Sequence, residues 1–125
     1  MIKQRTGAWY WEGNRLVSVD LGYRKDYPVE VRMRIRDGSY TQEWATTRTL
    51  FDLGLIRRSG EGGIIFDPTD DGQVFVTLRS DEGSATLVFE ADTLHKFLVA
   101  TYTEVPHHLE SLYASKELDK FLATL

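Results

Sequence analysis

The chain has 125 residues, with 15 Lys and Arg against 19 Asp and Glu, three His and no Cys, and a net charge of −4. This is enough for one domain with its own apolar core, and it excludes a disulfide framework, a thiol nucleophile and a thiolate metal site. The acidic balance argues against a dedicated nucleic-acid binder. No apolar run approaches the roughly 20 residues of a membrane helix, so a cytoplasmic protein without membrane insertion is expected.

Residues 1–6 are polar. Residues 8–11 and 16–23 flank Glu12-Gly13-Asn14 and read as the arms of a hairpin, since Gly and Asn accept the backbone such turns need. In the second arm Val17, Val19, Leu21 and Tyr23 alternate with Ser18, Asp20 and Gly22, which puts one face in the core and the other in water. Trp9 and Trp11 stand two residues apart on one face. Cross-strand packing is the ordinary reading of such a pair; a stacking platform for bases, or a sticky edge toward a partner, is the sharper one.

The stretch 27–68 organises the chain. Val29, Val31, Met33 and Ile35 alternate with Glu30, Arg32, Arg34 and Arg36, predicting a strand with one apolar and one largely basic face. Asp37-Gly38-Ser39 turns it into a second strand, 40–45, ending near Trp44. Thr46 or Thr47 then caps a short helix carrying Leu50, Phe51 and Leu53, and Gly54 is placed to end it in the left-handed conformation. Gly60, Gly62 and Gly63 precede another apolar run, Ile64-Ile65-Phe66, which stops at Asp67-Pro68. Asp70-Asp71-Gly72 leads to a strand with Val74, Val76 and Leu78, and Ser80 to Gly83 turns it back through Ala85, Leu87 and Phe89. Residues 91–104 form a helix by the spacing of Leu94, Phe97, Leu98 and Thr101, with Asp92 favouring its N-terminus and Pro106 marking its end. A last helix is predicted over 116–125, with Ser115 as N-cap. The whole reads as one α+β domain, residues 1–125, built on a curved antiparallel sheet with a short, a long and a C-terminal helix.

Little of this pattern carries catalytic chemistry. His107, His108 and Glu110 lack a third and fourth metal ligand, and adjacent His side chains on an extended segment point apart. Asp70 and Asp71 lack the alternating ligands of a calcium loop. The glycines at 60–63 lack the Lys-Ser/Thr ending of a phosphate loop. No cofactor, metal or catalytic residue is expected. Arg32, Arg34 and Arg36 lie about 7 Å apart along one strand face, a spacing suited to phosphates. Their ordinary reading is a solvated face paired with Glu30, Glu43 or Asp20.

An ordered series of positions resembles the SsgA-like proteins, sporulation and septation regulators of filamentous actinobacteria. It comprises Asp26, Tyr27, Trp44, Arg48, Leu50, Gly54, Leu55, Gly60, Gly62 and Pro68, continuing through Leu78, Ser80, Gly83, Phe97-Leu98, Thr101 and Val105-Pro106. The resemblance implies a curved sheet like that of the whirly-type and guide-RNA-binding proteins, a homotrimer, and a non-enzymatic role in placing division septa. In that role the protein recruits or stimulates the tubulin-like GTPase FtsZ and is itself drawn from the cytoplasm to the septum. Thr46, Thr49 and Asp67 depart from the family pattern, and the His pair is not part of it. On this reading Arg48, Asp52, Arg57 and Arg58, on the solvent side of the first helix and its exit, are the expected partner contacts. Asp26, Tyr27, Trp44, Leu50, Gly54, Leu55 and Pro68 are the expected fingerprint and core. The rival reading is a single-stranded nucleic-acid module using Arg32, Arg34 and Arg36.

Overall fold

Two rounds of four strands and a helix make up residues 1–110, the part of the chain that the computed structural model describes. The first round is β1 (Ile2–Tyr10), β2 (Arg15–Arg24), β3 (Tyr27–Asp37), β4 (Tyr40–Thr47) and α1 (Arg48–Gly54). The second is β5 (Ser59–Glu61), β6 (Ile64–Pro68), β7 (Gln73–Ser80), β8 (Gly83–Glu90) and α2 (Ala91–Glu104), followed by a 3₁₀ turn at His107–Leu109. All eight strands are antiparallel in one sheet of order β4-β3-β2-β1-β8-β7-β6-β5. The predicted terminal helix over 116–125, with Ser115 as its cap, lies outside the described residues.

Local chemistry accounts for the turns. Gly38 and Gly62 take φ of 63° and 60° in the β3–β4 and β5–β6 hairpins, and Asn14 takes φ of 50° at the end of the first. The Thr69 hydroxyl accepts from the Gln73 amide at 3.1 Å and fixes the β6–β7 turn. Thr47 caps α1, its hydroxyl accepting from the Leu50 amide at 3.1 Å.

Period-two alternation then delivers the core. Val17, Val19, Leu21 and Tyr23 from β2 and Val31 and Met33 from β3 face Val74, Val76 and Leu78 from β7 and Leu87 and Phe89 from β8. Leu50 and Phe51 of α1 and Leu94, Phe97 and Leu98 of α2 fill the inside of the curl. Phe51 meets Phe66 edge-on at 5.4 Å and Phe97 at 5.8 Å, joining both helices to the sheet. Each fully buried side chain of this kind stabilises the fold by about 1.5–3 kcal/mol.

Four expectations are corrected. β1 begins at Ile2, inside the stretch read as polar: Gln4 lies beneath α2 and its amide donates to the Thr93 carbonyl at 3.1 Å, so a polar residue occupies an inward position. Val29 is exposed because the β2–β3 pairing skips residues 28–30, where Pro28 has no N–H for the ladder; the register shifts at Tyr23/Arg24, and the Tyr23 hydroxyl donates to the Pro28 carbonyl at 2.8 Å. Asp26 and Tyr27 are surface residues of the β2–β3 hairpin, Asp26 pairing with Arg24 and Tyr27 lying under the Arg24 guanidinium, so they belong to no core. Gly54 has no positive φ. It is buried as the last residue of α1, and a methyl group there would run into the Phe66 ring.

This gives a direct test of the Gly54 contact. Gly54→Ala is expected to lower stability by about 1–3 kcal/mol through overpacking, although Ala is the better helix former, and chemical denaturation checks it.

Candidate functional site

Arg48 is the first residue of α1, and helical spacing sets it on the same face as Phe51 and Leu55. That face looks inward, so Arg48 is fully buried. Its guanidinium lies between two phenol rings, 5.1 Å from the Tyr23 centroid and 4.3 Å from that of Tyr102. Nη1 donates to the carbonyls of Thr101 and Val105 at 3.2 and 2.6 Å. Both belong to the C-terminal end of α2, where the helix dipole favours a cation; the Thr101 carbonyl also accepts from the Val105 amide at 2.9 Å. Nε and Nη2 donate to Glu110 Oε2 at 3.2 and 2.7 Å. Arg48 is thus a latch joining α1, α2 and the segment after α2, and the expectation that it faces a partner is corrected.

The other three residues expected at this surface separate by role. Asp52 accepts from the Tyr102 hydroxyl at 2.8 Å and so belongs to the rim of the latch. Arg57 and Arg58 are exposed beyond the helix, Arg58 pairing with Asp67 at 3.1 Å. Burial raises the Tyr23 phenol from 10.0 to about 12, and burial followed by the Asp52 hydrogen bond raises that of Tyr102 as well.

Arg32, Arg34 and Arg36 share one outer face, and each meets a carboxylate: Glu30 at 3.0 Å, Glu43 at 3.4 Å and Asp20 at 3.1 Å. Arg5 also pairs with Asp20, at 2.8 Å, and its hydrogen bond leads the effects that hold the Asp20 carboxyl below its usual value. Trp44 is half-buried at the gap between β4 and β6, packed against the core cluster and close to Gly63. Leu50 is buried, and Leu55 packs on the core from its edge. Pro68, paired with Val74, ends β6. Trp11 leaves β1 and leans on Phe75 at 5.6 Å. Among the described residues no three His, Asp or Glu side chains converge as metal ligands, and no helix is long and apolar enough to cross a membrane.

These features define an α+β domain in which an antiparallel sheet is curled around two helices and fastened by a buried arginine. Residues 17–110 match the family described as Streptomyces sporulation and cell division protein, SsgA, and the chain belongs to that family. It is 35% identical over 97 residues to the sporulation-specific cell division protein SsgB of Thermobifida fusca, covering 74% of this chain and 70% of that protein. The crystal structure of an SsgA-like sporulation-specific cell division protein from the same organism superposes with a TM-score of 0.85 at 30% identity, over 98% of this chain and 93% of that one. A second structure, from work relating mutations in SsgB to longitudinal cell division during sporulation of Streptomyces coelicolor, gives 0.83 at 27% identity, over 90% and 94%.

Two measurements test the latch. Arg48→Met removes the donor to Glu110 and to the Val105 carbonyl and one of two donors to the Thr101 carbonyl, and is expected to cost about 3–5 kcal/mol, read as a lower urea midpoint at unchanged m-value. The second concerns pH. Because the phenols hold their protons more tightly when folded, the native chain binds more protons than the unfolded one above the ordinary phenol value of 10.0, and stability falls as pH rises through that window. Melting temperatures are expected to hold below about pH 10 and to drop above it, with a shallower drop in Tyr23→Phe, which has one phenol fewer to ionise.

Proposed function

We propose that this protein regulates sporulation-specific cell division without catalysing a reaction, by binding FtsZ or another septation protein at the division septum. The observation that carries this reading is the family match over residues 17–110, joined to superposition on an SsgA-like protein across 93% of that protein's length. The proposal includes assembly into a homo-oligomer, the trimer being the form that the family resemblance implies. An oligomer presents each contact several times, so weak contacts to a filament of repeating subunits gain by avidity. Arg57 and Arg58, at the exposed exit of α1, are proposed as one such contact. The outer arginine face favours no second reading as a nucleic-acid module, since Arg32, Arg34 and Arg36 are each answered by a carboxylate.

Co-sedimentation with polymerising FtsZ tests the proposal. The wild-type chain is expected to pellet with the filaments, and Arg57→Glu with Arg58→Glu to pellet less while keeping its melting temperature and its mass by light scattering. A wild-type chain that stays in the supernatant at every concentration would remove FtsZ as the partner.

A further inference from the structure

The register of the sheet composes a surface on its outer face that no single strand shows. Leu16, Trp9, Val88 and Phe75 stand side by side across β2, β1, β8 and β7. Trp11 extends this row through its contact with Phe75. Three of these side chains are notably open to solvent, Leu16 at 70%, Trp11 at 59% and Trp9 at 39%. The next row on the same face is Gly7, Ser18 and Arg36, and the one after it is Arg5, Asp20 and Arg34. Gly7 and Ser18 therefore stand between an apolar ridge and a basic bank, with the Leu16 side chain leaning over Gly7.

The basic bank is concave, with a volume of about 640 Å³. Lys3, Arg5, Arg24, Arg32, Arg34 and Arg36 line it, against Asp20, Glu30 and Glu43. Asp26 answers Arg24 from the rim, and Asp20 is shared between Arg5 and Arg36. Cations therefore outnumber carboxylates there, on a protein whose net charge is −4. Gly22 adds to the hollow, since a methyl group at that position would touch nothing.

We propose that this outer face, ridge and bank together, is the docking surface for an acidic polypeptide segment with apolar side chains, supplied by a partner protein. The apolar side chains seat on Leu16, Trp9 and Val88, and the carboxylates face Arg5, Arg34 and Arg36. The proposal rests on the reading of this chain as a protein-binding regulator and names the chemistry of the partner. A peptide is favoured over a nucleic-acid strand by the carboxylates set among the arginines, which oppose a continuous phosphate backbone while tolerating a few discrete charges.

The test uses the full chain and a labelled synthetic peptide in which Leu and Phe are spaced among Asp and Glu, with a Lys-for-acid counterpart, read by fluorescence anisotropy. Saturable binding of the acidic peptide, weakened by salt, is expected. Arg5→Glu with Arg36→Glu is expected to weaken it about tenfold. Leu16→Glu, an exposed position outside the ion pairs, is expected to do the same and serves if the double variant melts early. Equal binding of the Lys peptide, or no saturable binding of the acidic one, overturns the proposal. So does tighter binding of oligo-dT that these same variants abolish, which gives the face to single-stranded nucleic acid. Peptide binding that survives these variants also overturns it while leaving the proposed function standing. Peptide binding without any FtsZ pelleting supports the surface and removes FtsZ as the partner.

Discussion

A short helix joins the two edges of one sheet, and the rest of the structure follows from that connection. β4 and β5 lie at opposite ends of the strand order, yet only α1 and a few residues separate them in the chain. Seven residues of helix span about 10 Å, so the edges must approach and the sheet must curl around the helix that ties them. The curl makes an inside, and the inside is where Phe51, Phe66 and Phe97 meet. It also explains the absence of a side chain at Gly54, where helix and β6 approach too closely for a methyl group.

Arg48 completes the same arrangement. Burying a guanidinium is costly unless its donors are used, and here they reach two helix-end carbonyls and a carboxylate while the group lies over two phenol rings. Because Glu110 is one partner, the path of the chain from α2 to Glu110 is set by a residue at the start of α1. Helix-to-helix geometry and the placement of the turn at His107–Leu109 are therefore one property rather than two.

Much of this was legible in the sequence. The alternation in β2, β3 and β7 and the helical spacing from Leu94 to Thr101 place the strands and α2 closely, because half-buried elements leave a periodic trace. The misreadings share a cause: the local pattern was right and the neighbour across the fold was unknown. The charge of Arg48 points to solvent, although its spacing to Phe51 and Leu55 puts it on the buried stripe. Gly at a helix end suggests a left-handed cap, whereas the constraint at Gly54 is the Phe66 ring. The first residues of β1 look merely polar, because nothing local shows that Gln4 faces the backbone of α2. The apolar ridge was half visible in Trp9 and Trp11, but Val88 and Phe75 join it only through pairing between opposite ends of the chain. The four-strand-and-helix round recurs without a matching repeat in sequence, since alternation specifies a strand and not its residues.

The join between the two halves of the sheet has a kinetic consequence. Most strand pairs close through turns of two to four residues and need little loop closure, whereas β1 meets β8 only at Trp9–Val88 and Tyr10–Leu87, extended by the Trp11 amide on the Thr86 carbonyl at 2.9 Å. Such contacts between distant parts of a chain bear most of the entropy of closing the topology, and few hydrogen bonds repay it until the inside is filled. Each meander can therefore assemble as a local unit, while zipping of the β1–β8 seam belongs to the late, slow step of folding. The same seam is the place where the native sheet parts first when the two halves open sub-globally.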